Sequence, residues 1–201
     1  MGFLSVLSMA HKWIAERTLP GDTVIDATAG TGVDTLALAR LVGAKGCVYA
    51  FDIQQDALDR TRDRLSTAED AERLGEVRLL LSSHDRMAEA IPPGALGRAA
   101  AVMFNLGYLP GGDPSVITKP ATTIAALESA LALLRPGGIL TCVLYPGHAG
   151  GDGEALEVER WAAALPGKLG SAVLYRQPQR PAAPYLIAVE RSKRRDERAS
   201  T

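Results

Sequence analysis

This sequence predicts an α/β fold built on a doubly wound, mostly parallel seven-stranded sheet with an antiparallel strand near the C-terminus. Three observations predict it. Short apolar runs of strand length alternate with segments of helical period through the chain. Most strands are separated by enough residues for a helical crossover, which implies parallel pairing with helices on both faces. The last two runs, 169–175 and 185–189, are joined only by the proline-rich stretch 177–184, so one of them must turn back antiparallel.

The elements follow in order. Residues 5–18 read as a helix with Val6, Met9, Ala10, Trp13 and Ile14 on one face, ended by Pro20-Gly21-Asp22. Thr23–Asp26 is a strand closing on an acid. Gly30-Thr31-Gly32 is a tight loop, and 34–42 is helical. Gly43 and Gly46 flank the turn into the strand Cys47–Asp52. A charged helix spans 54–68, and 77–81 is the third strand. Pro92-Pro93-Gly94 marks a loop before the fourth strand, 100–105. The segment 106–120 is rich in glycine and proline. An apolar helix covers 122–134, with Thr122 and Thr123 as its caps. Arg135-Pro136-Gly137-Gly138 turns the chain into the fifth strand, 139–145, and a helix occupies 153–164.

A chain of 201 residues can bury about 70% of its unfolded surface around one core. Residues 1–190 read as one domain and 191–201 as a polar tail. A composition of 47% hydrophobic and 22% charged residues argues against disorder, and a net charge of −1 argues against a binder that works by bulk positive field. No apolar run reaches the roughly 18 residues that span a bilayer. The first residues lack the basic region of a signal peptide, and Val6 stands where myristoylation needs Ser or Thr. Cys47 and Cys142 sit in apolar runs and read as core thiols in a reducing cytoplasm. Trp13 and Trp161 fall at helical core spacing. The first helix and the helix around Ala125–Leu133 offer surface either to the core or to a homodimer.

In doubly wound sheets the ligand lies beyond the carboxyl ends of the strands, where strand order reverses. The chemically unusual residues fall there: Asp26, Asp52, His84, Asn105 and Tyr145 end or follow strands one to five. Gly30 and Gly32 let the first loop turn and approach a ligand closely, and the helix that follows offers free N–H groups. Asp52 stands where an acid accepts hydrogen bonds from ribose hydroxyls. Thr35 replaces the third glycine of a dinucleotide fingerprint, and Asp34 and Asp26 would repel a pyrophosphate. A cationic nucleoside suits these charges better. S-adenosylmethionine, with a sulfonium, an ammonium, a ribose and no phosphate, is such a ligand.

Asp26-x-Thr28-x-Gly30-x-Gly32 resembles motif I of class I S-adenosylmethionine methyltransferases, a Rossmann-like fold. The fuller set is Asp26-Ala27-Thr28 with Gly30, Gly32, Asp34 and Thr35; Phe51-Asp52-Ile53-Gln54; Asn105-Leu106-Gly107-Tyr108-Leu109-Pro110-Gly111-Gly112-Asp113; Thr118-Lys119-Pro120; and Tyr145-x-Gly147-His148. From about residue 5 to 190 it resembles a small bacterial rRNA methylase family associated with methylating 5-aminomethyl-2-thiouridine at the tRNA wobble position. The chain departs from that family at Thr31, where Asn is expected, and at Pro181-Ala182 after Arg180. The resemblance implies cofactor contacts at Asp26, Thr28, Gly30, Gly32, Asp34, Thr35, Asp52, Ile53, Gln54, His84 and Asn105. It also implies a tRNA anticodon stem-loop as partner, with no membrane.

Asn105-Leu106-Gly107-Tyr108 is similar to the Asn-Pro-Pro-Tyr loop of amino-methylating enzymes. A carboxamide oxygen can accept the N–H bonds of an amine and aim its lone pair, and an aromatic can stack on a flipped base. Asn105, Tyr108 and His148 are the candidate catalytic residues. Leu106, Gly107, Tyr108, Asp113, Lys119, Tyr145 and Arg180 are the candidates for substrate, and His148 and Asp113 for a general base. His84 reads equally as a helix cap with Asp85, and His11 as a packed or surface histidine. Arg176, Arg180 and the cluster Arg191, Lys193, Arg194, Arg195 and Arg198 are the basic residues that could reach phosphates. Rival readings are an rRNA or small-molecule amine methyltransferase, an NAD(P)-dependent oxidoreductase and a non-catalytic scaffold.

Overall fold

The computed structural model describes residues 2–107, 111, 118–147 and 151–193. Tyr108, Asp113, His148 and the arginines from Arg194 onward lie outside the described residues. The elements are α1 (Val6–Ala15), β1 (Thr23–Asp26), α2 (Val33–Val42), β2 (Cys47–Asp52), α3 (Gln55–Ser66), β3 (Glu76–Leu81), α4 (Met87–Ala90), β4 (Ala99–Asn105), α5 (Pro120–Leu133), β5 (Leu134–Leu144), α6 (Gly151–Ala164), β6 (Gly170–Tyr175) and β7 (Tyr185–Arg191).

One sheet carries the order β3-β2-β1-β4-β5-β7-β6. The pairs from β3 through β5 are parallel; β7 runs antiparallel to both β5 and β6. The predicted mostly parallel, seven-stranded sheet with one reversed strand is therefore the observed one. Strand order reverses between β1 and β4, and their carboxyl ends open the crevice where the site lies.

The period of two in each strand divides the core between the sheet's faces. Tyr49 and Phe51 join Val102, Phe104 and the buried side of α5, chiefly Ala126, Leu127 and Ala130. Val48 packs on the other face with Ala10 and Ile14 of α1 and Leu38, Ala39 and Val42 of α2. Ala10 and Ile14 of α1 and the buried side of α5 are thus part of the chain's own core. Trp13 and Trp161 are half-buried at the margins of the core, and Cys47 is half-buried while Cys142 is fully buried.

Several boundaries differ for local physical reasons. The first helix stops at Ala15, not 18, because the Asp22 carboxylate takes the Leu19 N–H at 2.7 Å and holds a turn instead. Pro120 opens α5, where its missing N–H costs nothing, so Thr122 and Thr123 lie inside the helix and do not cap it. Strand β5 starts at Leu134 and absorbs the glycine turn: Leu134 pairs with Ala99 and Ile139 with Ala101, a bulge that stacks Gly138 against the β4 carbonyls. The short α4 was not foreseen.

Arg191, expected in the polar tail, belongs to β7. It ends that strand, and its guanidinium donates to the carbonyls of Leu131, Ala132 and Leu134 at the end of α5. Arg17, just past α1, donates to Glu190 of β7 at 2.8 and 2.9 Å, which seats α1 across the sheet. Leu127→Ala is expected to cost about 2–5 kcal/mol, because a fully buried side chain leaves a cavity that the sheet cannot close. Urea denaturation of the two proteins measures it.

Candidate functional site

A cavity of about 1000 Å³ opens over the carboxyl ends of β1, β2, β4 and β5. That is the size of a pocket for a nucleoside-sized ligand. Its wall is built from the turn after each strand, and the backbone of those turns is tied crosswise. After β1, Ala27 N–H donates to Met103 of β4 and Ala29 N–H to Phe51 of β2. The loop is therefore stitched alternately to the two strands that part there.

Three carboxylates organise this loop. Asp52 accepts from Gly30 N–H and Gln54 N–H, both at 2.9 Å, one on each oxygen. A carboxylate has about four acceptor positions, so Asp52 retains capacity toward the cavity. Asp34 lines the cavity from α2; one oxygen meets His11 Nε2 at 2.6 Å and the other accepts from Asn105 Nδ2 at 3.1 Å. Asp26 is fully buried beneath the loop and accepts from Thr28 N–H at 3.1 Å and Thr35 Oγ1 at 2.6 Å. Asn105 is held twice, since its own N–H donates to Thr28 Oγ1 at 2.8 Å. The Tyr145 phenol shares a hydrogen bond with the same carboxamide.

Electrostatics follow from this burial. Desolvation, with repulsion from Asp34 and more weakly Asp52, pushes the Asp26 carboxyl up to about 7 despite its two hydrogen bonds. Asp26 therefore does not add a full negative charge at neutral pH, as the sequence suggested; the cavity's negative charge resides on Asp34 and Asp52. Burial and then the Asp34 charge raise the Tyr145 phenol. Burial lowers the His84 imidazole, whose ring lies edge-on to Phe104 with centroids 6.0 Å apart.

The expected residues sort cleanly by position. Thr28, Gly30, Asp34, Asp52, Ile53, Gln54, His84, Asn105, Leu106, Gly107, Lys119 and Tyr145 line the cavity. Asp26, Gly32 and Thr35 do not; they lie beneath it. Gly32 is needed for packing rather than ligand approach: its φ is +78° and a Cβ there would stand 2.7 Å from Thr61 Cα of α3. Arg180 does not line the cavity either. It sits in an exposed turn, although neighbouring Ala182 comes within 3.6 Å of a Cβ placed on Gly147 at the rim. Arg176 is engaged by the Pro181 carbonyl at 2.9 Å and the Tyr185 ring at 4.8 Å, so it is not a spare cation for phosphate.

Several site-building residues were missed. Leu7 of α1 lines the cavity, and His11 one turn later on the same face reaches Asp34. Buried Glu154 of α6 accepts from Thr118 Oγ1 at 2.7 Å and Thr123 Oγ1 at 2.6 Å, fixing the start of α5 beside Lys119. Thr118 N–H also meets the Gly107 carbonyl, joining both ends of the segment between them. Helical spacing links Leu7 to His11, but no local signal links either to a loop beyond β1.

Sheet order, the reversed β7 and a crevice of acids and an asparagine define the class I methyltransferase fold. The chain belongs to the family described as "Putative rRNA methylase", whose model matches residues 48–190. A chloroplastic tRNA (mnm(5)s(2)U34)-methyltransferase of Arabidopsis thaliana is 43% identical over 184 residues; the match covers 89% of this chain and 66%, just under two thirds, of that relative. A crystal structure of the same family description from Clostridium thermocellum superposes with a TM-score of 0.88 at 37% identity, covering 95% of this chain and all of that one. A "putative methyltransferase" from Streptococcus mutans, solved with SAH, gives 0.82 at 32% identity, covering 94% and 99%. Among the described residues no helix is long and apolar enough to cross a membrane.

The raised Asp26 carboxyl makes stability depend on pH. Its folded value of about 7 lies above the ordinary 3.8, so the folded state holds the proton more tightly than the unfolded chain. This contribution is complete below about pH 4 and is lost as pH rises through about 7. Asp26→Asn is expected to flatten the fall in thermal midpoint between pH 5 and pH 8, which melting curves of both proteins across that range would test.

Proposed function

We propose that this chain is an S-adenosylmethionine-dependent methyltransferase acting on the 5-aminomethyl group of wobble uridine in tRNA, giving the methylaminomethyl product. The observation that carries the reading is the placement of Asn105: its backbone is tied to the β1 loop, its carboxamide to Asp34, and it faces a cavity that Asp52 borders on the far side. The residues present fit the methyl donor. Asp52 has acceptor capacity left for two ribose hydroxyls, and Ile53 offers an apolar contact to a purine. His84 lies on the same side as Asp52 and suits the adenine end, and the Thr28–Gly30 backbone suits the amino-acid end. When bound, S-adenosylmethionine supplies an activated methyl group on a sulfonium.

The remaining work is to present a neutral amine. A primary alkyl amine with an ordinary value near ~10.4 is protonated at pH 7, and freeing its lone pair costs roughly 4–5 kcal/mol. Asp34 and the Asn105 carboxamide form a polar, negatively charged end of the cavity that attracts the ammonium and then accepts the N–H bonds of the amine. Gly107, at φ +143°, gives the chain after β4 room beside Tyr145, while Leu106 is buried beneath it. Lys119 lies at the mouth, where a nucleotide phosphate would pass. Tyr108, Asp113 and His148 belong to the same reading as base-stacking and proton-accepting candidates, and Arg180 as a contact with the RNA beyond the rim. The 43% identity to a plant enzyme of that name supports the tRNA substrate. The reading takes the cytoplasm as its compartment, where free Cys47 and Cys142 stay reduced.

Two measurements test the proposal. Calorimetry should show S-adenosylhomocysteine binding, weakened about 10- to 100-fold by Asp52→Ala through loss of charged hydrogen bonds. Tight NAD(P) binding with no S-adenosylhomocysteine binding would refute it. Nucleoside mass spectrometry of tRNA incubated with the protein and methyl donor should show aminomethyl-uridine converted to methylaminomethyl-uridine. Asn105→Ala should slow that conversion about 100-fold or more by misaligning the acceptor. Conversion at the wild-type rate in that variant would remove Asn105 from the mechanism.

A further inference from the structure

We infer that His11 of α1 is a positioning residue that, through Asp34, holds the Asn105 carboxamide with its oxygen presented to the acceptor amine; this rests on the proposed amine-methylating reading. The argument begins with donors and acceptors. An ionised carboxylate only accepts, so the nitrogen side of the Asn105 amide must face Asp34 Oδ2, and Oδ1 lies on the opposite side of the carboxamide. By the same logic the His11 Nε2 facing Asp34 Oδ1 at 2.6 Å carries a proton and donates it. Each Asp34 oxygen is thereby taken by one donor, one from α1 and one from β4. Two anchors on opposite oxygens fix the plane of the carboxylate, which one anchor cannot do.

Burial makes this arrangement decisive. The Asp34 side chain is 8% exposed and the His11 side chain 30% exposed. Asp34 therefore has little water to replace a lost partner, while His11 bridges it toward solvent. Without the imidazole, one carboxylate oxygen loses its charge-assisted bond, and the group gains freedom to rotate and seek another donor. The Asn105 amide nitrogen still faces a carboxylate, but one whose plane is no longer fixed, so the carboxamide oxygen on the far side is no longer held in line with the acceptor amine. Neighbouring Ala10 and Ile14 are fully buried, and Arg17 anchors the helix end to Glu190, so the backbone carrying His11 is rigid. Among the described residues Asp34 is the partner of the ring at Nε2.

The test compares His11→Phe, which keeps the ring and removes the donor, with His11→Gln, whose amide N–H can reach toward the same oxygen. On aminomethyl-uridine tRNA, His11→Phe should lower kcat about 10- to 100-fold, with KM for tRNA and S-adenosylhomocysteine affinity within about twofold of wild type. His11→Gln should recover most of the loss, and both variants should melt within a few degrees of wild type. Nitrogen-15 NMR of the ligand-free protein should show a protonated His11 Nε2 whose resonance moves in Asp34→Asn. An unchanged kcat in His11→Phe overturns the inference. So does a loss that appears equally in S-adenosylhomocysteine affinity, or a His11→Gln variant no better than His11→Phe. If the wild-type protein makes no methylaminomethyl-uridine, the amine-methylating reading fails instead. The nitrogen spectrum then still decides whether His11 donates to Asp34.

Discussion

The structure turns on how the segment after β1 is satisfied where the sheet parts. At that point the regular pairing of β1 ends, and an unpaired backbone group or carboxylate left in poorly hydrated surroundings is costly. Here the loop is stitched to β4 through Ala27 and to β2 through Ala29, while Asp26 takes the Thr28 N–H and the Thr35 hydroxyl. Thr28 in turn accepts the Asn105 N–H across the gap. The cavity is what remains once these bonds are made. On the β1 side its wall is fixed by these bonds.

That economy divides the acids by role. Asp26 lies deepest, is fully buried, and serves the loop's own backbone; the cost shows in its raised carboxyl. Asp34 and Asp52 lie one layer out, where each keeps one face toward the cavity. A pocket with two ionised carboxylates and no arginine or lysine on the β1 loop favours a positively charged nucleoside over a diphosphate, which needs N–H donors and cations. The electrostatic preference drawn from the sequence therefore stands on a different pair of residues than first reading gave it.

Legibility varied with the range of the interaction. Strands and helices were readable because their apolar periods are local, and cavity-lining Asp52 and Asn105 because each ends a strand. Errors gathered at ends and caps. Thr122 and Thr123 look like caps by residue type, yet Pro120 starts α5 earlier and Thr123 turns instead to buried Glu154. Gly32 looks like a ligand-approach glycine, yet it makes room for Thr61 of α3. Arg191 looks like the start of a charged tail, yet it closes the carbonyl end of α5 from the last strand. In each case residue type was read correctly, and a partner distant in sequence decided its use.

By itself the sequence determined the α/β class, the reversed strand and the acids and asparagine at the strand ends, because alternation and turn chemistry act over a few residues. Only the tertiary structure decided that His11 meets Asp34 across 23 residues and that Asn105 meets Thr28 across 77. It also decided which of the motif's residues face the cavity and which lie beneath it. Those outcomes depend on how α1 crosses the sheet and where β4 inserts beside β1, and no periodicity along the chain records the distance between two elements once they are packed.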